Sequence, residues 1–368
     1  MNKEKIEKLA EKLREQKIDA LVVLSRNNSD KTLPLFMDIE VKEQIGCIFD
    51  NSGKVVIITQ DVYKGVADYI KDNNFEKIAL NVSQNDYILD SLTIGQYMGL
   101  ENQFDKEKFE NMWVSSEEIL GELRAIKSKA EIAAIKEAVD ITVNIYKDVH
   151  KQIKVGMSET EIGDLFVEGM KKYGVVNALG SHDYSYPLVM INRCGLSHRD
   201  PMSYYILQEG DILVCDFSVR KNGYCSDIAR GFYVLKQQEE KAPDDVQKAF
   251  DTAVNAVSNI INNAKAGLRG CDIDWLGRSV IEAGGYPTIR HSAGHQLGRK
   301  VHDGGTALHV EGKPNSQNKV RVNEVYAIEP TVIQDDGLPS FIVEEDIVIK
   351  EDGVEVLSER QLELWLIR

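Results

Sequence analysis

The chain contains 368 residues, and its 44 lysines and arginines against 59 aspartates and glutamates give a formal net charge of −15 at pH 7. Because a surface this acidic repels phosphate groups, nucleic acids and anionic membranes are not expected as partners. Five cysteines without a C-x-x-C pair favour a reducing cytoplasm over a disulfide framework.

The N-terminal third alternates short apolar runs with helical patterns, which predicts an α/β domain over residues 1–120. It opens on a charged helical pattern that does not resemble a secretion signal, and no apolar run in the sequence approaches the roughly 18 residues that cross a bilayer. Since no cluster of histidines, cysteines and acids occurs in it, we predict packing, dimerisation or coverage of a neighbouring site as its role. The predicted elements are helices at 4–16, 62–73 and 119–151 and strands at 19–25, 45–49, 55–59 and 77–82.

Residues 121–368 contain an internal repeat, which a search at a fixed shift reveals. At a shift of 111 residues Gly174 falls on Gly285, and at a shift of 113 Asp216 falls on Glu329. Both copies share the order helix, glycine-containing turn, second helix and strand. The repeat therefore predicts two pseudo-symmetric halves with a site shared between them.

The first copy places two aspartates on neighbouring strands of a predicted hairpin. Asp216 follows a buried apolar run, Asp227 precedes the next strand, and Asn222-Gly223 between them is a strong hairpin signal. Their midpoint, 221.5, falls at this turn, so the two carboxylates are expected to face each other or nearly so. Because like charges in that arrangement are destabilising, a positive partner is required.

The second copy repeats the arrangement with Glu329 and Glu345, on either side of a predicted turn at 335–339. Four carboxylates then converge, and two divalent cations would balance their charge. Pairing with arginine or lysine is the alternative, but neither strand segment carries a basic residue beside its acid.

Histidines add a nitrogen ligand to this set. His291, His295 and His302 lie in the segment HSAGHQLGRKVHD, and His198 precedes the first hairpin. The H-E-x-x-H motif of helical zinc sites is absent. One imidazole with four carboxylates instead suits a pair of Mn²⁺, Co²⁺, Fe²⁺ or Zn²⁺ ions.

Five motifs in order resemble those of the pita-bread metallopeptidases, which include aminopeptidase P, prolidase, methionine aminopeptidase and creatinase. The resemblance implies an α+β protein with a duplicated catalytic domain over 121–368. The smaller domain over 1–120 is similar to that of the aminopeptidase P, prolidase and creatinase branch. The motifs are LRAIKSKAEIAAIKEAV (123–139), DFSVRKNGYCSDIAR (216–230), HSAGHQLGRKVHD (291–303), AIEP (327–330) and EED (344–346).

The same resemblance implies roles for individual residues. A water held between two divalent ions would become the attacking hydroxide, and Glu329 would accept its proton and pass it on, with Mn²⁺ favoured over Co²⁺, Zn²⁺ or Fe²⁺. His198 and His302 would assist catalysis, and His291 would line the substrate pocket. The implied metal ligands are Asp216, Asp227, His295, Glu329 and Glu345.

Four positions depart from the motifs of this family. Ser218 and Gln296 stand where glycine is frequent, and Ala229 replaces a common threonine whose hydroxyl would orient a ligand. Val343 occupies the place of the arginine in an R-x-E-D motif. The missing arginine bears on recognition of the substrate end and on the charge balance around the ligands, whereas the set of metal ligands stays intact.

The function implied is an exopeptidase that cleaves an N-terminal residue from proline. Whether it acts as a dipeptidase or as an aminopeptidase on longer peptides stays open. The alternatives are a creatinase-like amidinohydrolase and a non-catalytic binding module on the same fold. A homodimer in the cytoplasm, acting on small peptides with proline in second position, is expected.

Overall fold

The structure is a computed structural model that describes residues 1–335 and 337–368. The chain divides into two compact units, Met1–Ala125 and Ile126–Arg368. The domain boundary predicted at residue 120 falls inside the helix Glu117–Ala125, which closes the first unit. Among the described residues, no helix combines the length and the apolar character needed to span a membrane.

The first unit is an α/β domain around a five-stranded sheet in the order β3-β2-β1-β4-β5. Neighbours β1, β4 and β5 run parallel, whereas β2 and β3 are antiparallel to their neighbours. Helices and strands of this unit are α1 (Lys3–Glu15), β1 (Ala20–Ser25), β2 (Ile45–Asp50), β3 (Val55–Ile58), α2 (Val62–Asp72), β4 (Ile78–Leu80), α3 (Ile94–Glu101), α4 (Lys106–Met112), β5 (Trp113–Ser115) and α5 (Glu117–Ala125).

The central strand of this sheet is buried along its whole length. All six residues of β1 are inaccessible, and successive side chains point to opposite faces. Leu21 and Val23 belong to one apolar core, and Val22 and Leu24 belong to the other. A strand covered on both faces reads as a continuous apolar run, which is why the sequence revealed it.

The second unit holds the internal repeat, in which each helix pair is followed by a sheet. Both sheets are antiparallel, except that the last strand of the chain joins the edge of the first sheet in parallel. The two sheets have the orders β16-β11-β8-β7 and β12-β13-β14-β15, and a small third sheet has the order β10-β9-β6. The elements are α6 (Lys129–His150), α7 (Glu159–Tyr173), β6 (Val176–Asn177), β7 (Leu188–Ile191), β8 (Ile212–Phe217), β9 (Val219–Lys221), β10 (Tyr224–Cys225), β11 (Ile228–Val234), α8 (Asp244–Asn263), α9 (Gly270–Ala283), β12 (Gly294–Gln296), β13 (Val325–Ile328), β14 (Glu345–Ile349), β15 (Val354–Val356) and β16 (Trp365–Ile367).

The continuous helix predicted at 119–151 is wrong, because the structure breaks it into α5 and α6. Ser128 is the N-cap of α6, and its backbone N–H donates to Glu131 Oε2 over 2.7 Å. The N–H of Glu131 donates back to Ser128 Oγ over 3.2 Å. This reciprocal capping box satisfies the free N–H groups of a helix start, so a new helix begins there.

The turn predicted between the two aspartates is confirmed as a two-residue hairpin. Lys221 pairs with Tyr224, and Asn222 and Gly223 between them have φ values of 51° and 80°. Positive φ at both positions matches the twist of the flanking strands, and asparagine followed by glycine tolerates it best.

The register of this hairpin corrects the expectation that the two aspartates directly face each other. Asp216 lies opposite Ala229 in the β8–β11 pair, and the same register places Asp227 opposite Ser218. The turn is centred between residues 222 and 223, one residue later than the midpoint of the aspartates. The carboxylates are therefore offset by two residues on one face of the hairpin.

Candidate metal centre

Three side chains of the second unit come together as a possible ion-binding group. Asp227, His295 and Glu344 each offer a ligand atom, and these atoms all lie within 4.8 Å of one another. Asp227 immediately precedes β11, His295 lies in β12, and Glu344 immediately precedes β14. Residues far apart in sequence thus meet because strands of both halves converge.

His295 links this group to a further carboxylate, Glu329. Its Nε2 lies 3.3 Å from Asp227 Oδ2 and 3.8 Å from Glu329 Oε1. Burial opposes protonation of His295, but the hydrogen bond to Asp227 and the charge of Glu329 outweigh it and raise the pKa of His295 to about 9. Burial and the charge of Asp227 exceed the opposing charge of His295 and raise the pKa of Glu329 to about 7.

Asp216 carries the clearest mark of a missing partner. Its Oδ1 is buried and has no hydrogen-bond partner among residues 1–335 and 337–368. Burial, followed by the negative charges of Asp227 and Glu329, raises the pKa of Asp216 well above its usual value. An isolated buried carboxylate is costly, so an unpaired oxygen beside other acids fits a cation site.

The predicted ligand Glu345 is not part of this group, whereas its neighbour Glu344 is. Its Oε2 accepts a hydrogen bond from Arg230 over 3.0 Å and one from Ser358 Oγ, and its Oε1 accepts one from the N–H of Gln361 over 3.0 Å. Adjacent strand residues point to opposite faces, so Glu344 faces the other acids while Glu345 faces Arg230. Pairing with arginine, which was the alternative to metal ions for these acids, therefore occurs at Glu345.

If Glu344 rather than Glu345 is aligned with the glutamate of the R-x-E-D motif, the motif moves by one position in this sequence. Counted from Glu344, the place of the family arginine is Ile342 rather than Val343, whose side chain is buried in an apolar core. Burial and the charges of Asp227 and Asp216 raise the pKa of Glu344 well above its usual value. Residues 343–349 are all buried, so the burial pattern does not distinguish the two glutamates, and only the packing of the strand does.

Asp346 is a buried acid that the sequence interpretation did not single out. It shares the face of Glu344, and its Oδ2 accepts a hydrogen bond from the backbone N–H of Asp227 over 3.0 Å. Its Oδ1 has no partner in the part of the chain that the structure describes. Burial raises the pKa of Asp346 well above its usual value.

The predicted catalytic and substrate histidines lie around this cluster. The ring centroids of His302 and His295 are 4.2 Å apart, and burial followed by the charge of His295 lowers the pKa of His302 to about 4. His291 Nε2 lies 3.1 Å from Thr331 Oγ1, and burial lowers its pKa. His198 lines a cavity together with Asp216.

A cavity of about 540 Å³ lies beside Asp216. Ser218 and His198 line it together with apolar and aromatic groups that include Leu179 and Tyr186. Its size and mixed lining suit a small organic ligand.

Residues 133–351 match the sequence model of a protein family that is described as Metallopeptidase family M24. The chain belongs to this family. The matched region contains the repeat, both hairpins and every candidate ligand named above.

Relatives and solved structures agree with membership of family M24. The chain is 30% identical to a Mycoplasma genitalium protein named as a candidate Xaa-Pro aminopeptidase, over 63% of this chain and 62% of that protein. A Mycoplasma pneumoniae protein with the same name is 32% identical over 63% of this chain and 61% of its own length. The chain therefore matches less than two thirds of the length of these relatives.

Two solved structures share the fold of this M24 chain over almost its whole length. The X-Pro aminopeptidase from Thermotoga maritima superposes with a TM-score of 0.79 at 22% identity, covering 98% of this chain and 99% of that one. The prolidase from Pyrococcus horikoshii gives 0.74 at 19% identity, with 98% and 99% covered. The predicted α+β fold, a pita-bread domain after a smaller α/β domain, is thereby confirmed.

In this M24 chain a buried carboxylate holds the loop that carries His198. Glu159, the first residue of α7, is fully buried and receives both terminal nitrogens of Arg199, over 2.6 and 2.8 Å. It also accepts hydrogen bonds from the backbone N–H groups of Met202 and Ile191, each over 3.0 Å. The residue next to His198 is thus fixed to a helix and to strand β7.

Glu159→Gln is expected to lower kcat/KM by roughly 10- to 100-fold, because a displacement of about 1 Å in a positioned group has such an effect. The Kd for Mn²⁺ should stay unchanged, since Glu159 contacts no candidate ligand. Steady-state kinetics and metal titration test this. The matched control is Glu161→Gln in the same helix turn. Glu161 is exposed, and its carboxylate accepts a hydrogen bond from the backbone N–H of Ser158, the N-cap of α7. Equal kinetics in both variants would contradict the role.

Proposed function

We propose that the protein is a metal-dependent exopeptidase that hydrolyses the bond between an N-terminal residue and proline. The observation that carries the proposal is the convergence of four carboxylates and one imidazole, in which Asp216 Oδ1 is buried and has no hydrogen-bond partner among the described residues. Membership of family M24 and the names of its relatives support a peptidase with this specificity. The proposed ligands are Asp216, Asp227, His295, Glu329 and Glu344.

The ligand set fits two divalent ions. Four carboxylates in a buried site are costly unless cations balance them, and oxygen donors with one imidazole suit Mn²⁺, with Co²⁺, Zn²⁺ or Fe²⁺ as alternatives. When bound, the ions supply Lewis acidity toward water and toward the scissile carbonyl.

Side chains of the site would move protons and orient the peptide. Glu329 would accept a proton from the attacking water and pass it to the departing nitrogen. His302 and His198 would donate hydrogen bonds to the charge that develops on the carbonyl oxygen. His291 would contact the substrate in the pocket.

The proposal also covers the metal, the oligomeric state and the cellular location of the protein. We propose Mn²⁺ as the native metal, a homodimer formed through the first unit, and a cytoplasmic location. Five free cysteines, four of them buried, support a reducing compartment. The complete ligand set supports a peptidase over a creatinase-like amidinohydrolase or a non-catalytic module.

Removal of Asp227 is expected to abolish metal-dependent cleavage. Protein stripped with a chelator and reloaded with Mn²⁺ is assayed for amino acid release from an Xaa-Pro dipeptide, an Xaa-Pro tripeptide and an Xaa-Ala dipeptide. Asp227→Ala should lose more than the roughly 10- to 100-fold that a partner of a ligand costs, because it removes the ligand itself. Asp244→Ala, in an exposed helix turn, is the control.

Two results would refute the assignment. One is the absence of Mn²⁺-dependent cleavage of all three peptides by the parent, and the other is parental activity in Asp227→Ala. Preference for the dipeptide or the tripeptide would decide between a dipeptidase and an aminopeptidase.

A further inference from the structure

We infer that Ser218 is a positioning residue that orients the carboxylate of Asp227 for divalent ions. The inference rests on the proposed function, because it assigns a partner to one of the proposed ligands. Ser218 lies between β8 and β9, and its side chain is almost completely buried. Its Oγ donates a hydrogen bond to Asp227 Oδ1.

The register of the hairpin explains why Ser218 reaches this carboxylate. Asn222 and Gly223 form the turn, so position 218 lies directly opposite position 227. Side chains directly opposed across two strands have Cβ atoms about 4.5–5.5 Å apart, which is within reach of a serine hydroxyl and a carboxylate. Any residue without a hydroxyl at 218 would leave Asp227 Oδ1 without this donor.

The remaining contacts of Asp227 leave one rotation for Ser218 to control. The backbone N–H of Asp227 is fixed by Asp346 Oδ2 over 3.0 Å, and Oδ2 lies 3.3 Å from His295 Nε2. The torsion that turns an aspartate carboxylate is broad and has no sharp preference. A hydroxyl that holds Oδ1 therefore sets the plane of the carboxylate and keeps Oδ2 beside His295.

The neighbouring pair of the hairpin shows the contrast. Asp216 lies opposite Ala229, which offers only a methyl group, and Asp216 Oδ1 has no partner among the described residues. Asp227, opposite a hydroxyl, has both oxygens engaged. The two aspartates of one hairpin thus differ in how firmly they are oriented, and the difference follows from the residue across the hairpin.

The backbone at Ser218 is held independently of its side chain. Its carbonyl oxygen accepts a hydrogen bond from the N–H of Ala178 over 3.1 Å. Removal of the hydroxyl should consequently alter the orientation of Asp227 without displacing the strand. Partners that orient metal ligands typically contribute roughly 10- to 100-fold in metal affinity.

The test is calorimetric titration of Mn²⁺ into chelator-stripped protein, with thermal unfolding of the metal-free form measured in parallel. Ser218→Ala and Ser218→Gly should raise the Kd for Mn²⁺ by roughly 10- to 100-fold, with little change in the metal-free unfolding temperature. Ser218→Thr keeps a hydroxyl and should keep the parental Kd. The matched control is Ser226→Ala, a buried serine of the same hairpin whose Oγ lies 2.7 Å from Thr142 Oγ1.

Each outcome decides the inference. A higher Kd in both hydroxyl-free variants, with parental affinity in Ser218→Thr and Ser226→Ala, supports it. Parental affinity in Ser218→Ala and Ser218→Gly, or an equal loss in Ser226→Ala, overturns it while the proposed metal centre stands. A parent that binds no Mn²⁺ overturns the proposed function, and the inference fails with it.

Discussion

Glu344→Gln is expected to abolish Mn²⁺ binding and peptide cleavage, whereas Glu345→Gln is expected to destabilise the fold and leave the metal site in place. Glu344 offers a carboxylate oxygen within 4.8 Å of the ligand atoms of Asp227 and His295. An amide at 344 carries no charge to balance a divalent ion and offers a single oxygen. The loss should exceed the roughly 100-fold upper range for a partner of a ligand.

Glu345 forms a buried ion pair that the same substitution would break. Its side chain is fully buried and lies 3.0 Å from Arg230, which is 2% exposed. Removing one partner of such a pair leaves an uncompensated buried charge and costs about 3–5 kcal/mol. We therefore expect Glu345→Gln to lower the free energy of unfolding by about that amount.

Three measurements on the two variants separate these effects. Mn²⁺ titration and peptide cleavage report on the site, and urea unfolding of the metal-free proteins reports on the fold. If Glu345→Gln lost Mn²⁺ while Glu344→Gln retained it, the assignment of the fifth ligand would be inverted.

Arg278→Ala is expected to cost about 3–5 kcal/mol of unfolding free energy, because it would leave Asp274 as an uncompensated buried charge. Arg278 is 6% exposed in its side chain and Asp274 is 1% exposed. The guanidinium meets both carboxylate oxygens of Asp274, over 2.7 and 2.9 Å. It also donates to the carbonyl oxygen of His291 over 3.0 Å, and Asp274 accepts from the N–H of Ala293 over 3.0 Å.

The same substitution should weaken the pocket as well as the fold, since the pair on α9 holds the loop that carries His291. Urea unfolding and the KM for an Xaa-Pro dipeptide are the two measurements. Arg269→Ala is the control, because Arg269 pairs with Asp272 at the start of α9 on an exposed surface, and such pairs stabilise little. Equal unfolding curves for the two variants would contradict the structural role of Arg278.

Much of the candidate site was predictable because its signals are local. Asp216 interrupts a buried apolar run, and Asn222-Gly223 specifies a two-residue turn on conformational grounds. The position of this turn also determines the register of the two strands, because a turn centred between residues 222 and 223 places Asp227 opposite Ser218. The expectation that the aspartates face each other used the midpoint of the acids instead of the centre of the turn.

The fifth proposed ligand was not predictable from the sequence alone. Glu344, Glu345 and Asp346 are consecutive acids, and a shift of one residue exchanges the two faces of a strand. Only the packing of β14 decides that Glu344 and Asp346 share one face and that Glu345 meets Arg230.

The ion pairs that support the site could not be predicted from sequence patterns. Glu159 and Arg199 are 40 residues apart, and nothing in the sequence marks Glu159 as buried or the two residues as partners. Their contact depends on how α7 packs against the loop after β7. From the sequence alone a charged residue is expected to be exposed to solvent, and only the tertiary structure shows that a partner allows its burial.

By itself the sequence determined the α+β class, the duplication, the hairpin turn and four of the five proposed ligands, because apolar periodicity and turn chemistry act over a few residues. Tertiary structure alone decided which glutamate faces the cluster, which carboxylates are paired and which carboxylate oxygens have no partner among the described residues. The physical reason is that the cost of a buried charge depends on the groups around it, and those groups come from segments distant along the chain.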